Sequence, residues 1–257
     1  MSGAAASLAR LLGLLVIVAL SLQLYFLARV AAMAWLDPQS TAYQRSEAWR
    51  LAMQKGAPAW SHEWLPSARI SANLKRAVIA SEDAGFSEHS GVEWDALEKA
   101  WERNQKAEAA FALRDAHLQQ RPGARPSTSA TARAPKIVGG STITQQLAKN
   151  LFLGGERSLA RKGQEFVVTA FLEALLSKDR ILEIYLNSVE WGEGVFGAEA
   201  AARRYFHTSA AGLSAAQAAR LAVLLPAPKR FEKRPASPYV LGRAATIMAR
   251  MGAVDVP

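Results

Sequence analysis

Gly139-Gly140-Ser141-Thr142-Ile143-Thr144-Gln145-Gln146-Leu147-Ala148-Lys149-Asn150 sets small hydroxyl, amide and basic groups in close succession. Such a run makes poor core material and suits an anionic, sugar-bearing ligand. Ser141, Thr142, Gln145 and Gln146 can donate hydrogen bonds to sugar or phosphate oxygens, Lys149 adds a charge, and the two glycines let backbone come close to a ligand. No Gly-Lys-Ser/Thr follows the glycines, so the run is not a phosphate-binding P-loop. Taken singly, Ser141 could be a helix cap and the glutamines an exposed face, a reading that fits the whole run poorly. Upstream, Glu82-Asp83-Ala84-Gly85-Phe86-Ser87-Glu88-His89-Ser90-Gly91 places two carboxylates side by side before a turn. Partial burial under Phe86 and the like charge of Asp83 can raise the proton affinity of Glu82, as proton abstraction near neutrality requires. Acidic pairs of this kind are more often merely solvated. Asp83 and His89 suit hydrogen bonds that hold the loop. Downstream, Arg157, Arg161 and Lys162 offer charge-assisted hydrogen bonds to an anion, each worth about 1.5 to 3 kcal/mol. An ordinary i,i+4 salt bridge from Arg161 to Glu165 is the bland alternative, and both can hold.

These groups need helices to position them. Apolar residues recur at three- and four-residue spacings, with few alternating patterns, which predicts a mainly α fold. Ser71 can cap a helix through Leu74, Ala77, Val78 and Ile79 that ends near Glu82, where Gly85 and the following turn begin. A longer helix should start near Leu159 and bury Phe166, Val167, Ala170, Phe171 and Ala174, leaving Arg161, Lys162 and Glu165 on its first turns facing the preceding loop. Lys178 to Asn187 forms another helix, with Ile181, Leu182, Ile184, Tyr185 and Leu186 largely buried. Ser214-Ala215-Ala216-Gln217 is a capping-box signature opening a helix that Pro226 stops. From Asn104 the composition shifts, and residues 119–135 are Pro, Ser, Thr, Ala, Gly and Arg with little to bury, a basic loop expected to be mobile.

The N-terminus carries a second kind of signal. Leu11 to Ala28 is uncharged, with Gly13, Ser21 and Gln23 among apolar residues, and as a helix it would extend about 27 Å against a hydrocarbon core of about 30 Å. The run exceeds the usual core of a signal peptide and lacks a clear cleavage site, Ala28-Arg29-Val30-Ala31 being the nearest. A buried core helix would need a polar face it does not have. The chain therefore divides into a stub and anchor over residues 1–36 and one catalytic domain over 37–257. Positive charge flanks the anchor on both sides, so it does not decide orientation. Lys and Arg total 31 against 22 Asp and Glu, a net +9, which favours acidic headgroups, phosphates or nucleic acid. No recognition helix or aromatic RNA platform accompanies that charge, which sets nucleic acid aside. The absence of cysteine rules out disulfides and thiolate metal sites, and no His-rich or Asp-rich cluster predicts a tight metal site.

Taken in order, these segments resemble the peptidoglycan glycosyltransferases, the enzymes that polymerise lipid II. Glu-Asp-x-x-Phe-x-x-His-x-Gly from Glu82 resembles their first motif, the run from Gly139 their second, Arg161-Lys162-x-x-Glu165 their third, and Lys178-x-x-Ile181-Leu182-Glu183-x-Tyr185-Leu186-Asn187 their fourth. Gly192, Gly194, Gly197, Ala200, Ala201, Tyr205 and Phe206 continue the pattern, and the likeness covers residues 60–230. Two departures are Ala198, where an aliphatic residue is usual, and the long Asn104–Ile137 connection.

The resemblance implies a lysozyme-like helical domain with a smaller membrane-proximal lobe. It implies that Glu82 is the base and Glu165 a second carboxylate that orients cations or substrate. Asp83, Phe86, His89, Ser141, Thr142, Gln145, Gln146, Lys149, Asn150, Arg157, Arg161 and Lys162 would bind substrate, while Glu183 and Asn187 pin helices around the cleft. No cofactor is required, although Mg²⁺ or another divalent cation can help neutralise a pyrophosphate. The expected partners are lipid II, the growing glycan, the bilayer and other cell-wall synthesis or division proteins, but no nucleic acid. The expected place is the bacterial inner membrane, with the N-terminus cytoplasmic and the catalytic domain periplasmic. Because little follows Pro226 and no Ser-x-x-Lys occurs, a transpeptidase domain is not expected and the enzyme should be monofunctional. An anchored lytic enzyme using Glu82 as a general acid, or a silent glycolipid-binding assembly factor, are the alternatives.

Overall fold

The computed structural model describes residues 3–55, 60–119, 140–154 and 158–257. The long N-terminal helix α1 (Gly3–Ala32) leads into α2 (Ala42–Lys55), strand β1 (Ser61–His62) and α3 (Ala72–Glu82). Then come α4 (Trp94–Gln119), α5 (Ile143–Phe152), α6 (Leu159–Leu175), α7 (Lys178–Ser188), strands β2 (Glu190–Gly192) and β3 (Val195–Phe196), α8 (Ala198–Phe206), α9 (Ala215–Leu224), a single turn α10 (Pro228–Phe231) and α11 (Pro238–Arg250). The chain forms two units. One comprises Met1–Gly91 and Ile143–Pro257, the other Val92–Thr142. Among its described residues the second unit is built on α4, which continues past Asn104 to Gln119, so the compositional shift falls inside a helix. The rest of the predicted mobile loop over 119–135 lies outside the described residues.

In the first unit α7 is the central element. Ile181, Leu182, Ile184, Tyr185 and Leu186 are all fully buried, as the apolar cluster in the middle of this helix anticipates. Ser177 starts it by accepting from the Arg180 amide, and α5 and α6 pack beside it. A second layer sets α3 against α9 and α11. Ser214 and Gln217 form the anticipated reciprocal capping box at the start of α9. The segment after Pro226 is no loose tail, since Ser237 caps α11 and Val240, Ala244 and Ile247 are buried on it. A small sheet of order β1-β3-β2, parallel between β1 and β3 and antiparallel between β3 and β2, closes one side. Asn187 ties α7 to the segment after β1, donating to the Leu65 carbonyl at 2.8 Å and accepting from the Leu65 amide at 2.8 Å.

One sequence expectation is corrected on α6. The inward face is Glu165, Val168, Thr169 and Leu172, whereas Val167, Ala170 and Ala174 are exposed and Phe166 and Phe171 only half-buried. The buried stripe thus lies about one residue, or about 100°, from the most apolar one. Turning Glu165 inward with its two cations sets the rotation. Helix α1 is outward-facing and apolar through most of its length, which removes the buried-core reading. Its last turns differ, with Phe26, Val30 and Met33 packed into the core.

Candidate active site

Helix α3 delivers Glu82. Ser71 caps it, Leu74, Ala77, Val78 and Ile79 bury one face, and the Asp83 amide closes the last turn on the Ile79 carbonyl. Glu82 is therefore the last helical residue, half-buried at the edge of the core. Gln146 donates to its Oε2 at 3.0 Å and Ser81 to its Oε1 at 3.4 Å. Burial pushes the Glu82 carboxyl above the ordinary carboxylate range, with Asp83 adding to it, against the two hydrogen bonds and the charge of Arg243.

Asp83 turns the other way, into the interior. Its Oδ2 accepts from the amide of Ile143, the first residue of α5, at 2.9 Å, and its Oδ1 lies 2.8 Å from His89 Nε2. Because the Gly91 amide donates to His89 Nδ1 at 3.1 Å, the imidazole proton belongs on Nε2 and points at Asp83. Phe86 is fully buried. The Lys178 ammonium lies 4.6 Å from its ring centroid, donates to the His89 carbonyl at 2.6 Å and to Glu173 at 2.9 Å. Thr144 meets the same Glu173 oxygen at 2.6 Å. The loop after Glu82 is thus held by groups from α5, α6 and α7.

Helix α5 presents Gln146, Lys149 and Asn150 at i, i+3 and i+4, one face of the helix, while Gln145 and Thr144 are buried. The carbonyl of Gln146 accepts from the Tyr185 hydroxyl at 2.9 Å. Burial lowers the proton affinity of the Lys149 ammonium, Glu165 and Glu82 raise it, and Arg161 and Lys162 lower it further. Lys149 keeps exposed surface. On α6, Ser158 accepts from the Arg161 amide at 3.1 Å and starts the helix. Glu165, only 3% exposed, pairs with Arg161 at 3.0 Å and with Lys162. Both of its oxygens are engaged. Ser141 and Thr142 precede α5 directly in the chain, at the end of the second unit. Gly139 and Arg157 lie outside the described residues.

One carboxylate of raised proton affinity, a lysine felt by it, and a cation pair held by a second carboxylate make an arrangement that can take a proton at one end and hold an anion at the other. Sequence reasoning missed the part of Tyr185, counting it only as core. A hydroxyl among the buried residues of a central helix needs a partner, which here is Gln146. Lys178 was likewise visible only as a motif position, and nothing in the sequence marks Glu173 or Arg243.

Comparison with known proteins gives the family. The Transglycosylase family matches over residues 50–112 and 121–252. A biosynthetic peptidoglycan transglycosylase of Burkholderia thailandensis is 51% identical, over 93% of this chain and 83% of its own. Proteins of the same description are 48% identical in Paraburkholderia xenovorans and 47% in Paraburkholderia phytofirmans, each over 96% of this chain and 92% of its own. With most of its length matched to that family and to relatives near half identity, the chain belongs to the transglycosylase family.

Proposed function

We propose that this chain is a peptidoglycan glycosyltransferase that polymerises lipid II into β-1,4-linked glycan, with Glu82 as the base. Glu82 takes the proton from the 4-hydroxyl of the acceptor sugar. The oxygen attacks the anomeric carbon of the donor, the bond to the polyprenyl pyrophosphate breaks, and the α-linked donor gives a β bond. Lys149, Arg157, Arg161 and Lys162 hold the departing pyrophosphate, whose charge rises as the bond breaks. Glu165 aims Arg161 and Lys162 and keeps their mutual repulsion low. Asp83, Phe86 and His89 hold the loop beside the base, and Ser141, Thr142, Gln145, Gln146 and Asn150 face sugar or phosphate oxygens or support groups that do. The reaction needs no resident cofactor. Mg²⁺ or another divalent ion can help neutralise the substrate's pyrophosphate.

The single observation that supports this reading best is geometric: Gln146, which donates to Glu82 at 3.0 Å, shares one face of α5 with Lys149 and Asn150, and α6, packed against α5, carries Arg161 and Lys162 on the buried Glu165. Helix α1 serves as a single-pass anchor in the inner membrane, the N-terminus is cytoplasmic, and the catalytic domain works in the periplasm with the bilayer, the growing glycan and other cell-wall synthesis or division proteins. The test is purified full-length protein with labelled lipid II. Long glycan and released polyprenyl pyrophosphate are expected, with no soluble fragments from mature peptidoglycan. Fragments without polymer would make the enzyme lytic, and neither product would make it a binding protein.

A further inference from the structure

Helix α1 is not a free tether. Gln23 Nε2 donates to Gln164 Oε1 at 2.8 Å, and Gln164 Nε2 donates back to Gln23 Oε1 at 2.9 Å. A reciprocal amide pair thus joins the anchor to α6. Toward the C-terminal end of α1 the docking continues through Phe26, whose ring lies 5.1 Å from that of Phe152, and through buried Val30 and Met33. Arg180 clamps the exit, donating to the Met33 carbonyl at 2.8 Å and to Asp37 at 2.7 Å. N-terminal to Gln23 the apolar side chains, Leu11 and Leu15 among them, are exposed. The uncharged run Leu11–Ala28, inside the apolar helix, rises about 27 Å, close to the thickness of a hydrocarbon core. Gln23 therefore lies within the hydrocarbon span, about 7.5 Å short of its C-terminal end, and Gln164 stands beside Glu165, one turn from Arg161 on the same helix.

We infer that Gln23 and Gln164 are positioning residues that register the anchor against α6 and so set the depth of the Arg161, Lys162 and Glu165 cluster at the level of lipid phosphates. The inference rests on the proposed lipid II polymerase activity and on α1 spanning the bilayer. Apolar packing alone allows a helix to slide or rotate against its neighbour. An amide in hydrocarbon that loses its only partner is costly, so the pair selects one axial and rotational setting. A donor whose diphosphate is fixed at the membrane surface then meets the cations without the protein having to tilt or sink.

The experiment compares full-length wild type with Gln23→Leu, Gln164→Leu and the double variant on two substrates. One is long-chain lipid II in proteoliposomes, and the other is a short-chain, water-soluble lipid II analogue in detergent. In vesicles each single variant should raise KM about tenfold with little change in kcat, the loss of one interhelical amide pair, and the double variant should be no worse than either single. With the soluble analogue all four proteins should be alike, which also shows that the variants fold. Unchanged KM in vesicles, or equal losses with both substrates, would overturn the inference while leaving polymerase activity standing. A wild type inactive on both substrates would overturn the proposed function, and this inference with it.

Discussion

Gln146 donates one amide hydrogen to Glu82 at 3.0 Å, so the group that sets the orientation of the base sits on α5, a different helix from the base itself. The hydrogen bond favours the ionised carboxylate, and burial opposes it more strongly. A base of raised proton affinity that is still aimed by a donor is what proton abstraction near neutrality asks for.

Replacing Glu82 by Gln should cut kcat by about a hundredfold to ten-thousandfold, the usual span for losing a general base, with binding of lipid II retained. It should also stabilise the fold. Because the folded-state proton affinity of Glu82 lies above the unfolded one, its contribution to stability is full below the ordinary carboxylate range and is lost as pH rises through the folded value. The variant should therefore melt above wild type at neutral pH, and the difference should shrink in acid. Calorimetry at two pH values checks this, and a lower melting temperature for the variant at pH 7 would contradict it.

Tyr185 should matter more than a core residue of its size. Its hydroxyl donates to Gln146 at 2.9 Å, and burial raises its proton affinity well above the ordinary tyrosine value, so it stays a donor at any working pH. That fixes the amide with its carbonyl toward Tyr185 and its NH₂ toward Glu82. Tyr185→Phe removes this hydrogen bond to the Gln146 carbonyl, at about 0.5 to 1.5 kcal/mol of stability, and weakens the hold on the amide's orientation. Glu82 then loses a hydrogen bond that favours its ionised form, so the acidic limb of the pH–rate profile should move to higher pH. An unmoved limb with lower stability would reduce Tyr185 to packing.

Much of this was legible in the sequence because local rules agreed with tertiary ones. The Ser71 cap, the Ser214–Gln217 box and the apolar run of α7 each specified a helix that the fold uses as expected. The end of α3 at Glu82 could be placed because Gly85 and the turn after it cannot extend a helix. What could not be read is what depends on partners distant in the chain. The face of α6 was misjudged because Phe166, Val167, Ala170, Phe171 and Ala174 form the more apolar stripe, while the buried carboxylate of Glu165 has its desolvation offset by its own i−4 and i−3 cations. Helix α11 carried a Ser-Pro start signal, but its burial depends on α3 and α9. The Gln23–Gln164 pair spans 141 residues, and no local pattern points to it.

Lys149 should set the alkaline limb of activity. Its proton affinity is lowered by burial and supported first by Glu165, and only the cation holds a pyrophosphate well. Glu165→Gln removes that support, leaves Arg161 and Lys162 facing it unneutralised, and should move the alkaline limb to lower pH as well as lowering its plateau. Lys149→Arg, whose charge does not titrate in this range, should move the limb up. The stability sign follows from the same shift. A depressed cation contributes stability above its unfolded value and loses it as pH falls through the folded one, so Lys149→Met should raise the melting temperature at neutral pH while impairing turnover. Alkaline limbs that coincide in wild type and Glu165→Gln would sever Lys149 from this role.

Gly91 ends the loop that follows the base, and its backbone has φ +85°. A Cβ there would lie 2.7 Å from Thr169 Cγ2 and 2.8 Å from Glu173 Cγ, both on α6. Ala at this position must meet left-handed strain and a double overlap, together about 2 to 4 kcal/mol. The damage should not stop at stability. The Gly91 amide holds His89 Nδ1, so shifting it frees the tautomer that points Nε2 at Asp83, and Glu173 also anchors Lys178 above Phe86. Gly91→Ala should therefore lower both the urea midpoint and kcat, with KM for lipid II changing less because the cations of α5 and α6 are untouched. A variant that loses stability but keeps wild-type kcat at low temperature would separate the loop from the chemistry.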